Sequence, residues 1–153
     1  MNSNFNPLSA EELVSRINTI PRIHLAQLPT VLEFAPNISK ELNINLYIKR
    51  DDCTALAFGG NKTRHLEFIM AKTLSGEYDC ILTGAASQSN FCRQAVAAAN
   101  KLNLDSYLVL MHGVKGKLMQ GTFLLYNILG ANVDVVEGEN LEDIPKHLDK
   151  KYD

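Results

Sequence analysis

The sequence predicts an α/β protein: a parallel sheet with flanking helices, forming part of a larger architecture. Two observations carry this. From residue 66 onward, runs with helical apolar spacing alternate with short apolar runs of four to six residues. Those short runs are apolar at nearly every position, as expected of strands covered on both faces, and so of parallel pairing with right-handed crossovers.

The elements follow in order. Ser9 followed by Glu12 is a capping-box pattern, and Leu13, Ile17 and Ile20 recur at helical spacing until Pro21 stops the run. Pro29 and Pro36 mark extended or turn segments, and Leu46–Lys49 is rich in strand formers. Leu66, Ile69, Met70 and Leu74 define one face of a helix. Cys80–Thr83 is a short buried strand ending in Gly84. Cys92, Ala95, Val96, Ala99 and Leu102 make a second helical face. Ser106–Met111 is a strand ending at Gly113. Leu118, Leu125, Ile128 and Leu129 give a third helix closed by Gly130, and Val133–Val136 is the next strand. Leu141 to Lys151 reads as a charged, exposed last helix with Pro145 near its start. A further strand is expected after it and none follows, the first indication of a larger whole.

Composition bounds the function. The chain has 153 residues, enough for one domain with a real core. With 46% hydrophobic and 21% charged residues it reads as soluble and globular. A net charge of -2 and no tryptophan argue against nucleic acid as a main partner. No apolar run approaches the roughly 20 residues of a membrane helix, and no secretory leader is visible. Three cysteines, Cys53, Cys80 and Cys92, lack a CxxC spacing, which suits reduced thiols in a cytoplasmic protein. His24, His65, His112 and His147 include no pair at the spacing of a helical zinc site, so no metal is expected.

Two stretches could carry chemistry. In FGGNKTRHLE (58–67), Lys62 follows a glycine turn directly before a helix. Asn61 separates it from Gly60 and the upstream glycine is absent, so the stretch is not a P-loop; a dinucleotide GxGxxG and a GxSxG elbow are also missing. A nucleotide-binding module is therefore poorly supported. In GAASQSN (84–90), Ser87, Gln88, Ser89 and Asn90 offer hydroxyls and amides between a strand and a helix start, where ligands gather in parallel sheets. Ordinary helix capping would explain the same residues.

Taken together, KRDD (49–52), GGNKTRHLEF (59–68) and GAASQSNFCRQAVAAANKL (84–102) resemble the D-cysteine desulfhydrase / 1-aminocyclopropane-1-carboxylate deaminase family, pyridoxal-phosphate enzymes of the tryptophan-synthase-β-like fold. LPTVLEF (28–34) and LLYNILGANVDVVEGE (124–139) are also similar to that family. The resemblance implies that Lys62 forms the Schiff base with pyridoxal 5'-phosphate. It implies that Ser89 does acid–base or nucleophilic work and that Asn90 hydrogen-bonds the cofactor's ring oxygen. Ser87, Gln88, Ser89 and Phe91 would then receive the substrate carboxylate. A lysine suits this role because it deprotonates, whereas guanidinium stays charged. A free lysine is neutral in only about one molecule in 2,500 at pH 7, so a site must activate it.

Two residues depart from the pattern: His65 stands where lysine is common, and Phe91 where a polar residue is common. The phosphate-binding glycine loop of the family is also missing from these residues. Losing three or four charge-assisted hydrogen bonds would cost about 5 kcal/mol or more, over a thousandfold in affinity. The expectation is one α/β unit. Residues 1–60 contribute to an incomplete large domain, and residues 61–153 form most of the small one. The implied activity is cleavage of a small amino acid such as D-cysteine, releasing ammonia, sulfide and pyruvate. Deamination of the cyclopropane amino acid is the runner-up. A non-catalytic remnant, or half of a split enzyme, is the reading from another class. Homo-oligomerisation or pairing with a complementary C-terminal chain is expected.

Overall fold

The computed structural model describes residues 7–111 and 118–136. Helix α1 (Ala10–Asn18) starts where the sequence places it. Ser9 Oγ accepts from Glu12 N, and Glu12 returns a bond to Ser9 N. Strand β1 (Leu32–Phe34) pairs antiparallel with β2 (Tyr47–Lys49), with helix α2 (Pro36–Leu42) between them. Two short 3₁₀ turns, Asp51–Thr54 and Leu56–Phe58, lead to α3 (Lys62–Ser75). Then β3 (Cys80–Ala86), α4 (Asn90–Lys101), β4 (Asp105–Met111), α5 (Gly121–Ile128) and β5 (Asn132–Val136) complete the described elements. Strands β3, β4 and β5 form one parallel sheet in that order. The helix expected at 141–151 lies outside the described residues.

Several local expectations are corrected. Pro36 does not only break structure; it occupies the first turn of α2, where its missing N–H costs nothing. Strand β3 does not end at Gly84 but continues through Ala85 and Ala86, which pair with Leu110 and Met111. Their small side chains carry little strand signal, and the neighbouring strand β4 supplies it instead. Leu118 lies before α5 rather than in it. The apolar face of α3 is also rotated from the expected one. Leu66 and Met70 are buried, but Ile69 and Leu74 are exposed, because the stripe toward the core is Thr63, Leu66, Glu67, Met70 and Ala71. That is the i, i+3, i+4, i+7, i+8 pattern with two polar members.

The core is layered on α4. One cluster joins Leu25, Leu66, Met70, Ala95, Ala98, Ala99 and Leu104, between α3 and α4. The other joins Cys92, Val96, Leu108, Leu110, Phe123 and Tyr126, between α4, the sheet and α5. Alanines on α4 let α3 approach closely, which places the start of α3 beside the start of α4. The segment that follows α1, from Arg22 to Ala26, is pinned by one buried group. Glu67 Oε1 accepts from Leu25 N at 2.9 Å and Ala26 N at 3.0 Å, and its Oε2 accepts from Arg22. Strands β1 and β2 are exposed along their length. Among the described residues no helix is long and apolar enough to cross a membrane.

Candidate active site

Lys62 is the first residue of α3 and is half-buried. The chain reaches it through a run of unusual backbone. Ala55, Ala57, Phe58, Gly59 and Gly60 all have positive φ. At Gly59 (φ +73) a Cβ would stand 1.8 Å from the Asp52 carbonyl oxygen, and at Gly60 (φ +132) one would stand 2.4 Å from Gln94 Nε2. Both glycines are thus required by close approach as well as by conformation. The buried Thr54 hydroxyl organises the turn: it accepts from Gly60 N at 2.9 Å and lies 3.0 Å from Gly60 O. Asp51 adds a second anchor. Its carbonyl accepts from Gly60 N, and its carboxylate takes a two-point ion pair from Arg64 in the first turn of α3. Hydrogen bonding from Arg64 holds the Asp51 carboxyl below the usual range. The KRDD and GGNKTR stretches are therefore one bonded unit.

The second stretch lies where β3 meets α4. Ser89 is the N-cap of α4; its Oγ accepts from Cys92 N at 3.3 Å. Its carbonyl accepts from the buried Tyr126 hydroxyl at 2.9 Å, so α5 fixes the Ser89 peptide. Burial pushes the Tyr126 hydroxyl well above the ordinary tyrosine value, which leaves it a donor at physiological pH. Burial likewise raises the Cys92 thiol, leaving it a protonated core residue.

The remaining predicted residues are distributed as follows. Asn90 opens α4, and its Oδ1 accepts from Arg93 Nη2 at 3.1 Å. Ser87 is buried, with its N–H on the Met111 carbonyl. Gln88 is engaged at both ends of its amide: Nε2 donates to Gln120 O and Oε1 accepts from Thr122 N. It caps α5, whose own N-cap residue Gln120 makes no side-chain cap bond. Phe91 packs against both core clusters.

Two residues that the sequence reading did not single out join the halves. Arg93 is 7% exposed and donates to the Gly59 carbonyl as well as to Asn90. Gln94 is fully buried; its Oε1 accepts from Thr63 Oγ1 at 2.6 Å, and its amide nitrogen underlies Gly60. Both lie on the turn of α4 that faces the glycine turn. Their sequence signal was weak, since RQ inside a helix reads as a solvated face. Only their burial between two motif loops marks them. No group of three metal-ligating side chains occurs among the described residues.

Comparison with known proteins defines the class. Residues 23–151 match the family described as "Pyridoxal-phosphate dependent enzyme", and the chain belongs to that family. Among its relatives it is 34% identical over 145 residues to a D-cysteine desulfhydrase of Klebsiella pneumoniae, and 38% identical over 125 residues to one of Salmonella paratyphi C. The matches cover 89% and 79% of this chain and 44% and 38% of those proteins. A solved structure described as an "ACC deaminase homologue" superposes with a TM-score of 0.84 at 34% identity, covering 90% of this chain and 42% of that one. The expected α/β fold and family are thus both found. The chain spans about two fifths of the length of these relatives.

The donor set fits the family's cofactor. A lysine amine, a side-chain amide and a hydroxyl lie on two segments that Arg93 and Gln94 bond together, Arg93 to the Gly59 carbonyl and Asn90, and Gln94 to Thr63.

Proposed function

We propose that this chain supplies one wall of a pyridoxal-phosphate site that cleaves or deaminates a small amino acid, with D-cysteine as the leading substrate and the cyclopropane amino acid as the alternative. The observation that carries this reading is the bonded junction of the Lys62 turn with the Ser89–Asn90 helix start. The cofactor, when bound, supplies an electron sink for the substrate's α-carbon. The chain's residues do the rest. Lys62 Nζ would hold the cofactor covalently, and its amine would serve to carry a proton to or from the substrate. Asn90 Nδ2 donates toward the ring oxygen. Ser89 Oγ turns its O–H to the substrate, and the amides at the start of α4 favour its carboxylate through the helix dipole. Ser87 and the Gln88 backbone shape that loop. The Gln88 side chain acts on it indirectly, through α5.

We assign residues 1–60 to an incomplete large domain and residues 61–153 to most of the small one. The exposed apolar residues of β1 and β2, among them Leu32, Phe34, Tyr47 and Ile48, need cover from further chain, a complementary chain or a second copy. Free cysteines throughout fit a reducing, cytoplasmic setting. The test is borohydride trapping of the chain with pyridoxal phosphate, followed by peptide mapping. Label confined to Lys62 supports the assignment; label spread evenly over the lysines refutes it.

A further inference from the structure

Arg93 is an unusual residue for its position. Arg93 is 7% exposed and its guanidinium meets no carboxylate among the described residues; its partners are the Asn90 side chain and the Gly59 carbonyl. Nη1 has no partner at all among the described residues. Burial accordingly draws its pKa below the ordinary arginine value. A buried cation that makes only neutral bonds is costly where methionine or leucine would fill the same space. Its geometry suggests what offsets that cost. Nη2 bonds one group from each motif loop, so a single nitrogen sets the distance between the Lys62 turn and the start of α4.

The chemistry of the two groups adds a second constraint. Arginine has donors and no acceptor, so the Asn90 atom that faces it must be the carbonyl oxygen. A primary amide has only one other end. With Oδ1 held inward, Nδ2–H is the end left to face a ligand. Without Arg93 the amide could turn over and present an acceptor, which would repel an anionic oxygen.

We propose that Arg93 is a positioning residue that fixes the polarity of the Asn90 amide and the seat of the Gly59–Gly60 turn, so that the site offers an N–H donor to an anionic ring oxygen. The inference rests on the cofactor reading above for what Asn90 faces, but the orientation of the amide is testable without any cofactor.

The experiment uses the full chain, ¹⁵N-labelled, with Arg93→Lys, Arg93→Met and Asn90→Asp variants compared under conditions where circular dichroism shows each folded. In the parent, the Asn90 side-chain amide should show one set of resonances and a single χ2 rotamer, read from contacts of the Nδ2 protons. In Arg93→Met that rotamer should become averaged. Arg93→Lys keeps the charge but carries it on a flexible stem without the rigid guanidinium plane that holds Nη2 in place, so it should restore part of the order. It also serves as the reading if the methionine variant does not fold. Asn90→Asp should strengthen the bond to Arg93, raising the melting temperature, yet weaken pyridoxal phosphate binding about tenfold by removing the outward N–H. Arg93→Met should weaken that binding by a similar factor. An Asn90 rotamer unchanged in both Arg93 variants overturns the proposal, and so does an Asn90→Asp chain that binds cofactor as the parent does. If the parent, one wall of the site, gives no cofactor absorbance shift, the Asn90 rotamer alone decides the positioning role.

Discussion

Replacing Glu67 with glutamine should loosen the whole segment from Arg22 to Ala26. The carboxylate is fully buried and accepts from two backbone N–H groups and from Arg22. Its own backbone carbonyl also accepts from Ile23 N. Leu25, a member of the core between α3 and α4, reaches that core only while this segment is pinned. A glutamine keeps an acceptor for the two amides but turns an NH₂ donor toward the Arg22 donors. A hydrogen bond to a charged group is worth about 1.5–3 kcal/mol. The Arg22 side chain is 32% exposed and can turn to water, so breaking the pair should not leave a fully buried charge. The expected loss is therefore about 2 kcal/mol. With a urea slope of roughly 1–3 kcal/mol per molar, the midpoint should fall by about 1 M. The pH dependence is a second reading. Burial alone would raise the Glu67 pKa, but the Ala26 and Leu25 amides and Arg22 outweigh it, and the carboxyl lies below its ordinary value. A group depressed on folding stabilises the protein above its unfolded pKa, near 4.3, and that stabilisation is lost as pH falls through the lower folded value. The parent should thus lose stability on acidification below about pH 4.3, and Glu67→Gln should lose less over the same range. A midpoint within about 0.2 M of the parent, with an unaltered acid profile, would refute the reasoning.

Other outcomes follow from the site. Gly60→Ala places a methyl 2.4 Å from Gln94 Nε2 at φ +132; it should cost about 2 kcal/mol or more, read by denaturant unfolding, and abolish borohydride labelling at Lys62. Ala55 has φ +70 and ψ -37, a strained conformation for a residue with a Cβ. Ala55→Gly should therefore raise stability by about 1 kcal/mol, and a lower melting temperature would count against the strain. In an assembled enzyme, Ser89→Ala should spare cofactor binding and lower turnover, whereas Asn90→Ala should weaken or reorient the cofactor; equal spectral damage from both would undo that division of roles. Residues 1–153 alone should release little sulfide or ammonia from D-cysteine, because misplacement of reacting groups by about 1 Å can cost about a hundredfold. Saturable turnover abolished by Lys62→Ala would show instead that this chain builds a complete site.

Much of this protein was determined by its sequence alone. The capping box at Ser9, the strand–helix alternation from Cys80 to Val136 and the helix start at Ser89 are local patterns, and each folds locally as its period and caps dictate. The family was legible too, because GGNK and QSN are contiguous motifs. The tertiary structure decided what joins them. Arg93 meets Gly59 across 34 positions, and Gln94 meets Thr63 across 31. Glu67 receives Leu25 and Ala26 across 42 and 41. In a linear pattern such residues count as the polar face of a helix. The core accepts them because a distant backbone or side chain meets each one, although Arg93 Nη1 and Gln94 Nε2 stay without a partner among the described residues. The same holds for Gln88, a plausible ligand group in sequence, whose amide is taken up by the start of α5. The three-residue strands β1 and β2 give too short a run for alternation to register, and they exist because they pair with each other. Periodicity reports which residues avoid water. Which polar groups may join them depends on partners that only folding brings within about 3 Å.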